Sequence, residues 1–273
     1  MLSIKSELLA LVERANRRRD LPGIRDIYLP EPEPSPDKDA EFGMVVLKDG
    51  SAGLYYAWLG PAQSGMKERF DVSGFMGKNP MHLARLYRSD REDDCSLGLA
   101  AINAITQCVF RRAGFSPDSA GNSLGELALQ NTDHPGMVGY FPSLVGKIRA
   151  QNISLTVIEK KTRFHGQDEL VQVTPDSEQL RSCNKIIITA AAMLNNTMDE
   201  ILRLVSHAER VVVLGPTAGF FPDPLFARGI YAVGGTEVTD AEAALSRLRN
   251  KQGLGNTARK VIIRRQQYPR VLD

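Results

Sequence analysis

The sequence predicts an α/β protein, a doubly wound parallel sheet with helices on both faces preceded by a smaller α+β domain. Three observations carry that prediction. From Pro135 onward, short apolar runs alternate with helix-like segments. Two of those runs, Ile186 to Ile188 and Val211 to Leu214, are continuously apolar, as strands buried on both faces require. Before Pro135 the order is different: a helix, a strand, a hairpin and a long helix, joined by loop-rich sequence.

The N-terminal elements follow from local pattern. Leu8, Leu9, Leu11, Val12 and Ala15 give one apolar face to a helix over Leu2 to Arg19. Arg17 to Arg19 lie near its C-terminus, where cations favour the helix dipole, and they read as a solvated face. Ile24 to Leu29 reads as a strand, and the proline-rich, charged segment 31–39 reads as an extended loop. Gly43 to Leu47 and Gly53 to Leu59 read as antiparallel strands joined around Asp49-Gly50. Trp58, ending the second of them, reads as a core or hinge anchor, and Gly60 to Asn79 as a loop-rich segment.

Met81 to Tyr87 predicts a short helix and Asp93 to Arg112 a long one, with small apolar residues along one face. Asp93 and Asp94 suit its N-terminus, while Asn103 interrupts the apolar face. A buried amide needs partners, so Asn103 either locks the helix to a neighbouring backbone or faces a ligand. Turn chemistry over residues 113–133 places the domain boundary, which divides the chain into residues 1–118 and 119–273. A short helix is expected at Leu124 to Leu129.

The second domain opens on PGMVGYFPSLVGKIRA, Pro135 to Ala150: a short strand, a turn at Gly139, and a helix with Pro142 in its first turn. Further strands are expected at Leu155 to Glu159, Lys185 to Thr189, Arg210 to Leu214 and Gly229 to Val233. Thr174-Pro175 reads as a helix start, and Thr197 with Glu200 and Thr239 with Glu242 read as capping boxes.

Composition limits the functional classes. A chain of 273 residues buries a substantial core without metals or disulfides, and a formal charge of +2 predicts neither a nucleic-acid-binding face nor membrane attraction. Cys95, Cys108 and Cys183 are widely spaced with no CxxC pair, which predicts reduced thiols and a cytoplasmic location. The N-terminal stretch mixes charges with leucines, unlike a signal peptide, and no run approaches the roughly twenty apolar residues of a membrane span. Neither a GxSxG elbow nor a P-loop is present.

In open parallel sheets ligands bind outside the carboxyl ends of the strands, where strand order reverses. The turns expected there are Gly139-Tyr140-Phe141, Glu159 to Asp168, Ala190 to Asn196, Gly215-Pro216-Thr217 and Gly234-Gly235-Thr236. Glu159 follows the glycine turn by about twenty residues, where dinucleotide folds place an acid on ribose hydroxyls, yet no GxGxxG accompanies it. Glu159, His165 and Asp168 share one loop and form a candidate ligand set for a transition-metal or harder cation. Asp133-His134 enters the first strand from its amino end, roughly 16 Å from the crevice at about 3.3 Å per residue. Cys95 reads as a buried small hydrophobe, and Asn195 as a polar contact at the crevice edge with Thr197 as a helix cap.

The segments GMVGYFPSLVGKIRAQNISLTVIEK, IIITAAAMLNNTMDEIL, VVVLGPTAGFFPDPLFARGI and VGGTEVTDAEAAL resemble the family known as "putative heavy-metal chelation", and SLGLAAINAI resembles its preceding helix. That resemblance implies a Rossmann-like C-terminal domain, an N-terminal domain similar to that of enolase, and a ligand cleft between them. Family motifs carry over onto Asn103, Gly136, Gly139, Tyr140, Asn195, Thr197, Gly215, Pro216 and Thr217 as pocket candidates, joined by Phe141 and Glu159 from the turn geometry. The expected function is binding of a heavy-metal ion, a metal chelate or a metal-binding metabolite, with a homo-oligomer left open. The alternatives are an enzyme using a nucleotide or S-adenosylmethionine-like cosubstrate and a scaffold without chemistry.

Overall fold

A computed structural model describes residues 2–30, 41–57, 66–121 and 124–272. The proline-rich segment 31–39 and Trp58 lie outside the described residues. Helix α1 (Ile4–Arg18) buries Ile4, Leu8, Leu9, Val12 and Ala15, the face its spacing predicts, and the Ser3 side chain caps it by accepting from the Ser6 N–H. Strands β1 (Ile24–Tyr28), β2 (Phe42–Leu47) and β3 (Ala52–Tyr56) form an antiparallel sheet in that order. Asp49-Gly50 makes the β2–β3 turn, with Gly50 at φ +83° and its N–H donated to the Leu47 carbonyl.

Two short helices, α2 (Met66–Arg69) and α3 (Met81–Ala84), lead to α4 (Glu92–Arg112). Helix α4 is the central beam: almost every residue from Asp93 to Phe110 is buried. The small sheet lies across it so closely that a Cβ on Gly53 would collide with the Ala100 carbonyl and the Ala104 nitrogen of α4. Here glycine is required by close approach.

Among the described residues the large sheet has nine strands in the order β4-β12-β11-β10-β9-β5-β6-β8-β7. They are β4 (Asp118–Ser119), β5 (Pro135–Val138), β6 (Leu155–Ile158), β7 (Gly166–Gln167), β8 (Val171–Thr174), β9 (Lys185–Thr189), β10 (Arg210–Leu214), β11 (Ala232–Val238) and β12 (Ala258–Arg264). The run from β11 through β8 is parallel, and β12, β4 and β7 add antiparallel edges. Helix α5 (Pro142–Arg149) packs Leu144, Val145 and Ile148 on one face of this sheet, beside Met137, Leu155 and Val157. On the other face Val138, Ile158, Ile186, Ile188 and Val213 share a core with α4, with α6 (Met198–Leu204) and with α7 (Asp223–Phe226). The expected α/β class, with a mostly parallel sheet clad by helices, is what the chain adopts.

The two sheets are interlocked. One face of the small sheet, with Val45, Leu47 and Tyr55, belongs to the α4 core. The opposite face, with Met44, Val46 and Leu54, is covered by Ala241, Ala244, Leu245 and Leu248 of α8 (Ala241–Arg249), a helix that follows β11. The small sheet is thus sandwiched between its own long helix and one from the far end of the chain.

Several local expectations are corrected. Gly234-Gly235-Thr236 is no turn: β11 begins three residues later than its apolar run suggested and runs to Val238, so the two glycines lie inside it and leave room for Leu214 and the Ala218 carbonyl. Thr174-Pro175 starts no α-helix, because Thr174 ends β8 and Asp176 caps a 3-10 turn over Ser177–Ser182. At α8 the cap is Asp240, accepting from the Ala243 N–H, in place of Thr239. Thr197 precedes α6 but makes no side-chain cap; its hydroxyl donates to Asn195 Oδ1 at 2.7 Å. Around 124–129 the chain makes only a 3-10 turn, Gly125–Leu127, ended by Ala128 at φ +48°.

Candidate functional site

Strand order reverses between β5 and β9: the chain goes from β5 outward to β6 and β8, then returns to β9 and proceeds to β10 and β11 on the other side. The turns leaving the carboxyl ends of these strands meet at that point, where open α/β sheets bind ligands. Gly139 stands at φ +86°, a conformation that glycine adopts without steric penalty, and its N–H donates to the Ile158 carbonyl at 2.8 Å. A Cβ at this position would lie 2.9 Å from Thr189 Cγ2, so the β5 turn is pressed onto the end of β9.

Glu159 ties the β5 and β6 turns together. Its Oε2 accepts from the Tyr140 N–H at 2.9 Å, and its Oε1 accepts from the Lys161 N–H at 2.9 Å. Tyr140 stacks on Phe164 with ring centroids 4.6 Å apart and planes at 11°. The Arg163 guanidinium sits 4.7 Å from the Phe164 centroid, completing an aromatic and cationic pile on the loop after β6.

The small sheet reaches this edge through Tyr56, at the end of β3. Its N–H donates to Thr217 Oγ1 at 3.0 Å, and its hydroxyl lies 3.2 Å from Lys161 Nζ, which also sits 5.7 Å from the ring centroid. Tyr56 therefore contacts the loops after both β6 and β10, and the crevice is bounded by both sheets. Sequence reasoning missed Tyr56, Lys161 and Phe164. Lys161 and Phe164 lay in an expected crevice loop, but Tyr56 lay inside an expected strand running to Leu59, which the structure ends at Tyr56.

Behind this edge Asn103 joins the sheets. Its Nδ2 donates to the Leu54 carbonyl of β3 and to the Thr217 carbonyl of the β10 loop, each at 2.8 Å. Both facing atoms are acceptors, so the amide orientation is forced, and Oδ1 is left buried with no hydrogen-bond partner among the described residues. Gln107, one turn on, links the Ala52 N–H to the Val238 carbonyl. A cavity of about 40 Å³ lies alongside, lined by Leu54, Asn103, Phe110, Pro216, Gly219 and Val261. Of the two roles open to Asn103, the structure shows the locking one.

The remaining expected residues divide clearly. Gly139, Tyr140 and Glu159 are brought together at the crevice. Phe141 is the N-terminal boundary of α5, its carbonyl accepting from Leu144 and Val145. Gly215, at φ +142°, lies 3.5 Å from the Ala190 Cβ if given a Cβ of its own, so the β9 and β10 turns also touch. Asn195 and Thr197 bond to each other.

The expected metal set does not assemble. The Asp168 carboxylate pairs with Arg149 and accepts from the Leu170 and Val171 N–H groups at 3.0 and 2.9 Å, which turns it away into its own loop. His165 Nε2 lies 2.7 Å from the Glu159 carbonyl oxygen; a carbonyl only accepts, so Nε2 carries the proton. Among the described residues no group of three or more His, Cys, Asp and Glu side chains is placed to hold a metal ion. Those residues do not fit a bare-ion centre. Asp133 is likewise committed at the amino edge, to Lys185 Nζ at 2.9 Å and Asn184 Nδ2 at 2.7 Å.

These features define a class, an α/β protein whose candidate ligand site lies at the switch point of a parallel sheet and is flanked by a small antiparallel sheet. Within it, the chain belongs to the DUF364 family, described as "Putative heavy-metal chelation", whose model matches residues 124–265. Over 157 residues it is 26% identical to an uncharacterized protein of Methanocaldococcus jannaschii, a match covering 56% of this chain and 58% of that protein. The chain thus spans little more than half the length of this curated relative. A DUF364 protein of unknown function from Pyrococcus horikoshii has a similar solved structure, with a TM-score of 0.66 and 20% identity over 94% of this chain and 99% of that one. Another from Desulfitobacterium hafniense has a TM-score of 0.64 and 21% identity over 96% and 100%. At such identities the likeness shows the fold alone. Proteins of the mandelate racemase type match at TM-scores of 0.26 and 0.29, which lend no weight to the expected enolase-like N-terminal domain. Among the described residues no helix is long and apolar enough to cross a membrane.

Proposed function

We propose that this protein binds a small metal-bearing molecule, a metal chelate or an organic metal-binding metabolite, in the crevice between its two sheets. The observation that carries the reading is the convergence at the switch point: the turns after β5 and β6 are tied through Glu159, and Tyr56 of the small sheet contacts the loops after β6 and β10. The family's description as heavy-metal chelation supplies the metal. Because the described residues offer no three-donor cluster, the metal arrives with its own ligands. Gly139 and Tyr140 form one wall, Phe164 backs it, and Lys161 and Tyr56 form the other side. We place the protein in the cytoplasm, in keeping with three cysteines that are free and buried. The cosubstrate-enzyme alternative has no comparable support, since no GxGxxG fingerprint accompanies Glu159.

Calorimetric titration with transition-metal ions, with small chelators and with their complexes tests this reading. Binding should weaken at least tenfold in Tyr140→Ala and in Glu159→Gln, about 1.4 kcal/mol. Unchanged affinity in both variants removes the crevice as the site.

A further inference from the structure

The loop that follows β6 gives the crevice a charge, and its sign is unfavourable for a free cation. Residues 159–165 carry Lys160, Lys161 and Arg163 against the single carboxylate of Glu159. All three cations are exposed. The carboxylate is held by two backbone N–H groups at 2.9 Å, so its negative charge is partly compensated in place. The cations are differently arranged. Lys161 Nζ stands at the Tyr56 hydroxyl, and Arg163 lies against the Phe164 ring that stacks on Tyr140. With its Cζ 4.7 Å from that ring's centroid and its side chain exposed, the Arg163 guanidinium has N–H groups able to meet a carboxylate or similar oxyanion. The imidazole beside them offers only Nδ1 as a donor to metal, since Nε2 is bonded to the Glu159 carbonyl.

We infer that the ligand of this crevice is anionic: a metal held in an oxyanion-rich chelate of the polycarboxylate type, recognised through its outer oxygens by Lys161 and Arg163. The inference rests on the reading of the crevice as a ligand site and adds the ligand's charge and chemical class. In this arrangement the flat Tyr140–Phe164 pair supplies an apolar wall and the basic loop the electrostatic attraction. The metal's coordination sphere stays with the chelator.

The test titrates the full chain with nickel(II) citrate, with citrate alone and with aqueous nickel(II), each at low and high ionic strength. The same titrations are run on Tyr140→Ala and on the Lys161→Gln/Arg163→Gln double variant, whose exposed positions leave the fold intact by circular dichroism. Nickel citrate should bind, should weaken as salt screens the loop, and should lose roughly two- to thirty-fold affinity in the double variant. Aqueous nickel binding as tightly as the citrate complex, weakened by Tyr140→Ala but not by salt or the double variant, overturns the anionic ligand and leaves the crevice reading standing. Citrate alone binding as well as its complex overturns the chelate in favour of a metal-free polycarboxylate. If neither Tyr140→Ala nor the double variant alters binding of any probe, the crevice reading falls and the inference with it.

Discussion

Replacing Asn103 probes the joint between the sheets. In Asn103→Leu the carbonyls of Leu54 and Thr217 each lose a donor now 2.8 Å away; the Thr217 carbonyl keeps the Gly219 N–H at 3.0 Å, whereas the buried Leu54 carbonyl loses its side-chain partner. Leaving the Leu54 carbonyl unmade costs about 1–3 kcal/mol, and losing the second of two bonds to the Thr217 carbonyl about 0.5–1.5 kcal/mol. The same change deletes the orphaned Oδ1, returning the cost of one desolvated acceptor, about 1–3 kcal/mol. The net is a destabilisation of about 0.5–1.5 kcal/mol. Asn103→Asp keeps the shape but sets an oxygen against two carbonyls, an uncompensated buried charge costing about 3–5 kcal/mol at neutral pH. Urea denaturation followed by fluorescence measures both, and the aspartate variant should be the less stable. A leucine variant no less stable than the parent, or an aspartate variant more stable than the leucine one, contradicts this role of Asn103.

Three further outcomes follow. Gly139→Ala combines φ +86° with a Cβ 2.9 Å from Thr189 Cγ2, so it should lose about 1–2 kcal/mol from the backbone alone, and the Gly139→Ala/Thr189→Ser variant should recover only the steric remainder in thermal melts. Burial acts to raise the Asp93 carboxyl, but its hydrogen bonds with Arg91 and the Asp94 N–H and the charge of Arg69 hold it below the ordinary carboxylate range. Its stabilisation is therefore complete above the unfolded value of about 3.9 and is lost as pH falls through the lower folded value. Asp93→Asn should flatten the acid side of the stability profile, and parallel profiles for variant and parent would show the ion pairs to be inert. Burial raises all three thiols, Cys108 to about 11, so native protein should resist alkylation at about pH 8 until it unfolds. Stoichiometric labelling of the folded state would contradict that burial.

How far the sequence reveals this protein depends on the kind of signal. The parallel core was legible because strands buried on both faces are continuously apolar, and β9 and β10 end at the residues their runs predict. The glycine turn was legible because Gly139 needs a positive φ that few other residues tolerate. Strand β12 was missed: ARKVIIR mixes charge with apolar residues, as an antiparallel strand near a sheet edge does, and its partner β4 is only two residues long. The limits of β11 were misjudged because Gly234 and Gly235 read as punctuation, whereas neighbouring atoms demand their lack of a side chain. Capping residues were misplaced by one or two positions where several Thr, Asp and Asn side chains compete for the same N–H groups.

At the site, Glu159 and Tyr140 were found because a strand end and a turn place them. The three expected metal ligands are not brought together among the described residues, because sharing a loop does not orient three side chains toward one point. Arg149, the loop's own N–H groups and a carbonyl claim Asp168 and His165 first. The contribution of Tyr56 was invisible because it comes from another sheet, and nothing in the hairpin pattern says which residues meet across it.

The proposed function puts a metal-bearing ligand at the switch point between the sheets. Crystals soaked in nickel(II) citrate and measured at the nickel absorption edge test it directly. An anomalous peak is expected among Tyr56, Tyr140, Glu159 and Lys161, set apart from protein donor atoms by the chelator's own oxygens. A peak ligated by protein side chains elsewhere, such as the Asp133–His134 end of the sheet, with none in the crevice, would contradict it.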